Sequence, residues 1–420
     1  MPFRIALSGL NAASDDLRVI GNNIANAGTT GFKKSRTEFG DIYPATNLGT
    51  GSNSIGSGVK VVNIAQQFTQ GNVNFTDSNL DLSVSGQGFF RLNDNGTTVY
   101  TRSGGFEVDR SGYVVNSANQ RLTSYQTDTS GNITGALGDL KLDTSALAPK
   151  ASTAIKAVAN LDATQAAIVS TFSRTDPTTY GNSTSLTVYD SLGDPIVATT
   201  YFRKTATANV WQAYTWITNK AGTSTEVLPT GLTAGNPATL TFSSSGALSS
   251  VAPAVGSTLA VSYQATSPGT GAANLSLSLD LTGTSQYGSA FSVNSLTQDG
   301  YASGNLSGVN IGDTGVVQAR YTNGQSRTLG QIALANFSAP QGLQQLGDTS
   351  WAETYKSGAA LVAAPGTSNL GLIQSGALEG SNVDMTEQLV SMITAQRNFQ
   401  ANAQVITTAD AITQTIINIR

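Results

Sequence analysis

The 420-residue chain contains no cysteine and no histidine. The first absence excludes disulfides, thiolate nucleophiles and Cys-based zinc sites; the second excludes Ser-His-Asp triads and His-based metal centres. A cysteine-free chain suits work outside the cell without oxidative folding, although this alone fixes no compartment. Charge is also scarce. Asp, Glu, Lys and Arg make up 11% of the residues, against about 25% in ordinary soluble chains, so the surface must be built from Ser, Thr, Asn, Gln and Gly. The net charge of −4 gives no basic footprint for nucleic acid. No apolar run approaches the ~18 residues that span a bilayer, so no membrane insertion is expected. The start, residues 1–13, carries Arg4 and some apolar residues. Ser8, Gly9 and Asn11 interrupt it, and no cleavage site follows. It reads as retained structure, not a Sec signal, so export would need another route. Paired carboxylates such as Asp15-Asp16 are adjacent on a helix and point to different faces, a poor arrangement for acid–base work. The residues offer no convergent catalytic set, no cofactor motif and no metal site.

The chain has instead two apolar ends. Phe3, Leu10, Leu17 and Ile24 recur every seven residues, with Leu7 between and Ala6, Ala13, Ile20 and Ala27 flanking. Near the other terminus, Met385, Leu389, Met392, Phe399 and Ile406 form a similar stripe. Val405, Ala409, Ile412, Ile416 and Ile419 extend it. Such spacing predicts amphipathic helices, and a seven-residue repeat makes the apolar face a seam for a partner helix. Asp384, three residues before Glu387, reads as a capping box, and Asn26-Ala27-Gly28 as a C-terminal stop. Ser14, Gly21, Gln396 and Asp410 make the seams imperfect. A lone helix of about 25 residues is marginal in water unless its apolar face is covered. Each end is therefore expected to need the other. Spacing alone leaves open whether they form a two-helix cap on a monomer or a contact between chains.

Between the ends the signals are β. Lys33, Lys34 and Arg36, in the turn-rich passage 29–36, read as solvated or as a contact surface. Residues 40–58 read as an extended arm or loop and 59–68 as a strand. Leu80, Leu82 and Val84 alternate with polar residues. Gly86 and Gly88 read as turn glycines, since no phosphate-loop pattern contains them. Asn93-Asp94-Asn95-Gly96 and Asp109-Arg110-Ser111-Gly112 are turns. Residues 144–169 look like a crossing segment around Pro149. A second β region runs from 172 to 293, with a hairpin about residues 190–195. Trp211, Tyr214 and Trp216 read as core aromatics, with a carbohydrate-stacking patch as the alternative. β signals resume at 300, residues 338–380 look looser, and no fixed-period repeat is evident. Length gives a prior of about three domains. The order helix, β, β, β, helix implies a nested, discontinuous chain. The expected class is α+β and multidomain: paired terminal helices, coiled-coil-like, with mainly β outer domains. The expected division is 1–30 plus 376–420, 31–70 plus 360–375, 71–148 plus 296–359, and an inserted 149–295.

These residues also carry a resemblance. Ser8-Gly9-Leu10-Asn11-Ala12-Ala13, then Asn22-Asn23-Ile24-Ala25-Asn26, then Thr30-Gly31-Phe32-Lys33, resemble the N-terminal signature of the bacterial flagellar rod and hook proteins. Ser381-Asn382-Val383-Asp384 and Gln396-Arg397-Asn398-Phe399-Gln400-Ala401-Asn402 resemble its C-terminal partner, with Phe399 where many relatives carry Tyr. Gln298-Asp299-Gly300-Tyr301, Tyr321-Thr322-Asn323-Gly324, Leu334-Ala335-Asn336-Phe337 and Asp190-Ser191-Leu192-Gly193 resemble the hook members. The resemblance is weakest over residues 203–285. It implies a structural subunit of a curved hollow tube, a universal joint carrying torque from rod to filament in the extracellular flagellum. It implies a homopolymer and contacts with rod proteins, a hook cap protein, hook–filament junction proteins and the flagellar type III export apparatus. A distal rod protein is the alternative within the family, and would lack most of residues 150–295. A secreted β-rich adhesin or carbohydrate-binding protein is the alternative from another class.

Overall fold

The computed structural model describes residues 2–43, 56–128, 131–143, 145–253, 260–265 and 271–418. The chain separates into two compact units. The first combines Met1–Thr144, Ser307–Arg320 and Ser326–Arg420; the second holds Ser145–Leu306 with Tyr321–Gln325. The nesting expected from the element order is thus present: both chain ends build one unit, and the second is inserted into it.

In the first unit, helix α1 (Pro2–Ala25) and helix α2 (Met385–Asn418) pack on one another. A two-stranded antiparallel sheet, Ser35–Asp41 with Val59–Gln66, lies against α1 and takes in the first residues of the expected arm. The expected loop's residues 44–55 lie outside the described residues, as does Ile419. The remainder of the unit is dominated by a 13-stranded sheet among the described residues. Its strands Phe89–Asp94 and Thr97–Thr101 pair antiparallel. The connection is Asn95-Gly96, with φ of +50° and +97°. Both residues sit in the left-handed region, as the twist of a two-residue hairpin demands, and Asn and Gly reach it cheaply. Leu82, Val84, Phe90, Leu92, Leu122 and Ile332 fill the core. A second cluster sets Phe68, Phe89, Tyr100, Phe337 and Trp351 edge to face, with ring centroids 4.8–5.8 Å apart, the arrangement that aromatic quadrupoles favour.

The second unit is an 11-stranded sheet system among the described residues. Strands Asn182–Tyr189, Pro195–Lys204 and Val210–Thr218 pair antiparallel in sequence. The expected hairpin about residues 190–195 is there, joining the first two of these strands. Trp211 and Tyr214 are buried core residues and Trp216 is half-buried, with the Arg174 guanidinium over its ring. The expected crossing segment contains a nine-residue strand, Ala154–Asp162, parallel to Leu275–Asp280 and antiparallel to Ser292–Gln298. Its inward side chains are Ile155, Ala157, Ala159 and Leu161; two alanines hide the alternation. Residues 338–380 are likewise more ordered than they read. Five short strands, between Gln344 and Glu379, lie within them.

One turn recurs through both units. An Asp, Asn or Ser at the first position accepts, through its side chain, the backbone N–H four residues on. Asp109, Asn116, Asp190, Asn219 and Ser243 all do so. The residue at the fourth position, Gly112, Asn119, Gly193, Gly222 or Gly246, has positive φ. The polar composition therefore serves the hairpin connections, where such side chains replace missing backbone partners.

Candidate assembly surface

The seam between α1 and α2 closes on small residues. Ala6, Ala13 and Ile20 on α1, with Gln388 and Ala395 on α2, are buried. Gly9 marks a close approach: a Cβ there would come within 2.5 Å of the Asn402 side-chain oxygen. Of the apolar residues singled out from the heptads, Leu10, Leu17, Ile24, Met392, Phe399 and Ile406 are half-buried. Phe3, Leu7, Leu389 and Ile412 remain between 41% and 56% exposed, and Met385, Val390, Ile393 and Val405 are exposed with them. The side chain of Ile416 lies outside the described residues, although its backbone belongs to α2. Phe3, Ala401, Val405, Thr408, Ala409 and Ile412 line an open, mainly apolar cleft of about 620 Å³. Each helix thus covers part of the other and keeps a second apolar surface free.

The motif residues at the helix bases do a different job. The Asn23 amide donates to the Ser35 carbonyl at 2.8 Å and accepts the Ser35 N–H at 2.9 Å, pairing with the chain as a strand would. It also donates to Gln388 Oε1 at 3.0 Å, tying α1 to α2. Asn26 donates to the Asn22 carbonyl and accepts from Thr29 Oγ1, closing the end of α1. Asn22 itself is exposed. Asn382 accepts the Lys34 N–H at 2.7 Å and donates to the carbonyls of Gln67 and Thr69. Asp384 caps α2 by accepting the N–H groups of Thr386 and Glu387. The reciprocal half of a capping box is absent, because Glu387 is engaged by Lys34 Nζ at 2.9 Å. Gly31 has φ of +72° and stands where a Cβ would meet the Ser103 N–H at 2.5 Å; only glycine fits there. Phe32 is half-buried. Gln396 and Arg397 lie exposed on α2, whereas Asn402 is half-buried and donates to the Asn398 carbonyl.

The sequence reading missed one cluster. Lys33, expected to be solvated or to line a surface, is fully buried. Its Nζ donates to Glu379 Oε1 at 2.6 Å and to the Thr69 carbonyl at 2.7 Å. Arg102 donates to Glu379 Oε2 at 3.2 Å and to the Val84 and Gly86 carbonyls. Glu379 also accepts the Gly71 N–H. Burial pushes the Lys33 and Arg102 pKa values down, and the Glu379 carboxylate opposes the shift. These three residues join chain segments up to 346 positions apart. Neither local periodicity nor turn chemistry could signal them; the one cue was three charges in a chain that has few. Among the described residues no group of three acidic residues could hold a metal, and no helix is long and apolar enough to cross a membrane.

Comparisons with known proteins agree with this architecture. Residues 3–33 match the flagella basal body rod protein family, and residues 83–157 the D1 domain of the flagellar hook protein FlgE/F/G. Residues 160–301 match the D2 domain of the flagellar basal body protein FlaE. Residues 374–419 match the C-terminal part of the flagellar basal body rod FlgEFG proteins. The flagellar hook protein FlgE of Escherichia coli K12 is 38% identical over the whole of both chains. That of Salmonella typhimurium is 39% identical, also over the whole of both. The crystal structure of Helicobacter pylori flagellar hook protein FlgE2 shares the fold, with a TM-score of 0.54 at 14% identity, covering 73% of this chain and 100% of that one. Four matched segments in order, with full-length identity of this size, leave no place for the rod-protein or adhesin alternatives. The chain belongs to the flagellar hook protein FlgE family and is a structural, non-enzymatic component of the extracellular flagellar hook.

Proposed function

We propose that the subunit polymerises through the apolar residues its terminal helices leave uncovered, building a curved, hollow hook that passes torque from rod to filament. The observation that carries this is the run of large exposed apolar side chains on α1 and α2, with Phe3, Leu7, Leu389, Ile393, Val405 and Ile412 among them. Contiguous apolar surface on a water-soluble chain marks a contact. A head-to-tail contact that does not close generates an open helical filament. In this reading Leu10, Leu17, Ile24, Met392, Phe399 and Ile406 hold the helix pair, while Phe3, Leu7, Leu389 and Ile412 face neighbouring copies. The asparagines and glycine of the two signatures fix the helix bases.

The chain divides functionally into four parts. Residues 1–30 plus 376–420 form the tube wall, and 31–70 plus 360–375 a connecting arm. Residues 71–148 plus 296–359 form an inner β domain, and 149–295 an outer one. Close-packed apolar contacts resist sliding, whereas polar contacts bridged by water exchange partners at low cost. Stiffness then resides in the helical wall and bending freedom in the Ser-, Thr- and Asn-rich outer surface. Rod proteins, a cap protein, junction proteins and the type III export apparatus are the partners that family membership makes natural. The test is assembly of the purified full chain, induced by salt or concentration and read by negative-stain microscopy. Parent protein should form curved tubes, and Leu389→Asp with Ile412→Asp should remain monomeric with unchanged circular dichroism. Normal tubes from that variant would refute the reading.

A further inference from the structure

Helix α2 has three charged residues in its 34: Glu387, Arg397 and Asp410. Glu387 is engaged by Lys34. Arg397 is exposed and, among the described residues, has no ion partner. Val390, Ile393 and Arg397 follow one another at spacings of three and four, so they share a helix face. Val390 is 61% exposed and Ile393 50%, and both belong to the bare apolar surface of α2. An arginine carried into a contact on that surface loses water, and a buried cation without a carboxylate is strongly unfavourable.

The same unit carries a carboxylate suited to it. Helix α1, the strand Ser35–Asp41 and the first turns of α2 line an open cleft of about 380 Å³. Its charged residues are Asp16, Lys34, Arg36 and Glu387. Lys34 pairs with Glu387 at 2.9 Å and Arg36 with Glu38 at 3.0 Å. The adjacent Asp15 pairs with Arg18. Among the cleft's described charges, Asp16 alone is left without an ion pair. Thr37 lines the cleft too; it is 8% exposed, and its hydroxyl oxygen has no hydrogen-bond partner. A carboxylate and a hydroxyl oxygen in one cleft are acceptors for a guanidinium, which presents its N–H donors in a planar fork.

We infer that this cleft receives Arg397 of a neighbouring copy, whose guanidinium donates to the Asp16 carboxylate and the Thr37 hydroxyl oxygen. The occupant follows from charge. The unpaired acid in the cleft of one copy complements the unpaired base on the apolar face of another. Asp410 is the rival acceptor, exposed on α2 and outside this cleft. Apolar faces alone tolerate sliding, since one aliphatic contact replaces another; a charge with one acceptor fixes where the faces meet. The inference rests on the reading that the terminal helices build the tube wall. Within that wall the apolar residues supply adhesion and Arg397 the alignment. It concerns the assembled tube and requires nothing of the helices in the free subunit.

The test uses tubes of the full chain carrying Arg397→Lys, which keeps the charge and supplies an amine. A carbodiimide condenses a touching carboxylate and amine into an amide and takes up the water released. The expected product is a covalent ladder on a denaturing gel, with a linked peptide joining Asp16 of one copy to residue 397 of another. Tubes assembled from equal parts of heavy-nitrogen-labelled and unlabelled protein should give that peptide with its two halves in mixed isotopes. A link to Asp410, a link within one chain, or no linked peptide would overturn the inference. Arg397→Gln and Asp16→Asn should each raise the critical concentration for assembly about tenfold or more. The double variant should be no worse than either single one, because both remove the same pairing. Additive effects, or none, would overturn it. If the charge variants match the parent while Leu389→Asp with Ile412→Asp stays monomeric, the helical wall stands and this pairing fails. If that apolar variant also forms normal tubes, the wall reading fails and takes the inference with it.

Discussion

The terminal helices and the inserted β unit use apolar residues in opposite ways. In the inserted unit Trp211, Phe202, Leu161, Val188 and Ile196 are all at most 1% exposed. On α2 only Gln388 and Ala395 are buried among the described residues, while Leu389, Val390, Ile393 and Ile412 are about half exposed or more. One region is finished as a single chain; the other is finished only when another surface covers it. Their polar groups do not differ in this way: Asn23, Asn382, Lys33 and Glu379 tie remote segments together at the helix bases, and Asn160 and Asp299 do so in the inserted unit. Stability and assembly should therefore be separable by mutation.

The sharpest separation comes from the two cores. Trp211→Ala should destabilise the inserted unit by about 3–5 kcal/mol through lost burial and a cavity, visible as a lower-melting transition in calorimetry. It should leave the helical contacts able to assemble. Leu389→Asp, at an exposed site, should change stability by less than about 0.5 kcal/mol yet impair tube formation. Glu379→Gln should cost about 3–5 kcal/mol, because two buried cations lose their counter-charge; chemical denaturation of the full chain reads this. If Glu379→Gln melted no differently from the parent, the helix base would not depend on that cluster.

An acid dependence belongs to the inserted unit. Burial pushes the Asp299 carboxyl up, but the N–H groups of Ala154 and Thr153, the Thr153 hydroxyl and Lys150 outweigh it and hold it well below the usual carboxylate range. A carboxylate depressed in the folded state contributes stability that is fully present above its unfolded value, about 4, and is lost as pH falls through the folded one. Thermal stability of this unit should therefore fall as pH drops below about 4. Asp299→Asn should start lower at neutral pH and show a flatter acid limb. Asp384→Ala should cost α2 about 0.5–2 kcal/mol by removing its cap, measurable as faster amide exchange over the first turn.

Much of this was legible in the residues, and for identifiable reasons. The heptads, the Asp384 cap, the Asn95-Gly96 hairpin and the nested order are local or periodic signals. The strand Ala154–Asp162 was hidden because Ala157 and Ala159 occupy inward positions that larger residues would have advertised. The strands between residues 344 and 379 were hidden because each has only three or four residues. Lys33, Arg102 and Glu379 were out of reach because their partnership is entirely long-range. Asn23 was found as a motif residue, but its bond to Gln388 needed the fold.

The central claim is that the surface left bare on the terminal helices is covered by neighbouring subunits. A cysteine replacing the half-exposed Ile393 gives the most direct measurement: the rate of maleimide labelling in the monomer against that in assembled tubes. The account requires fast labelling in the monomer and strong protection in the tube. Equal rates in the two states would contradict it.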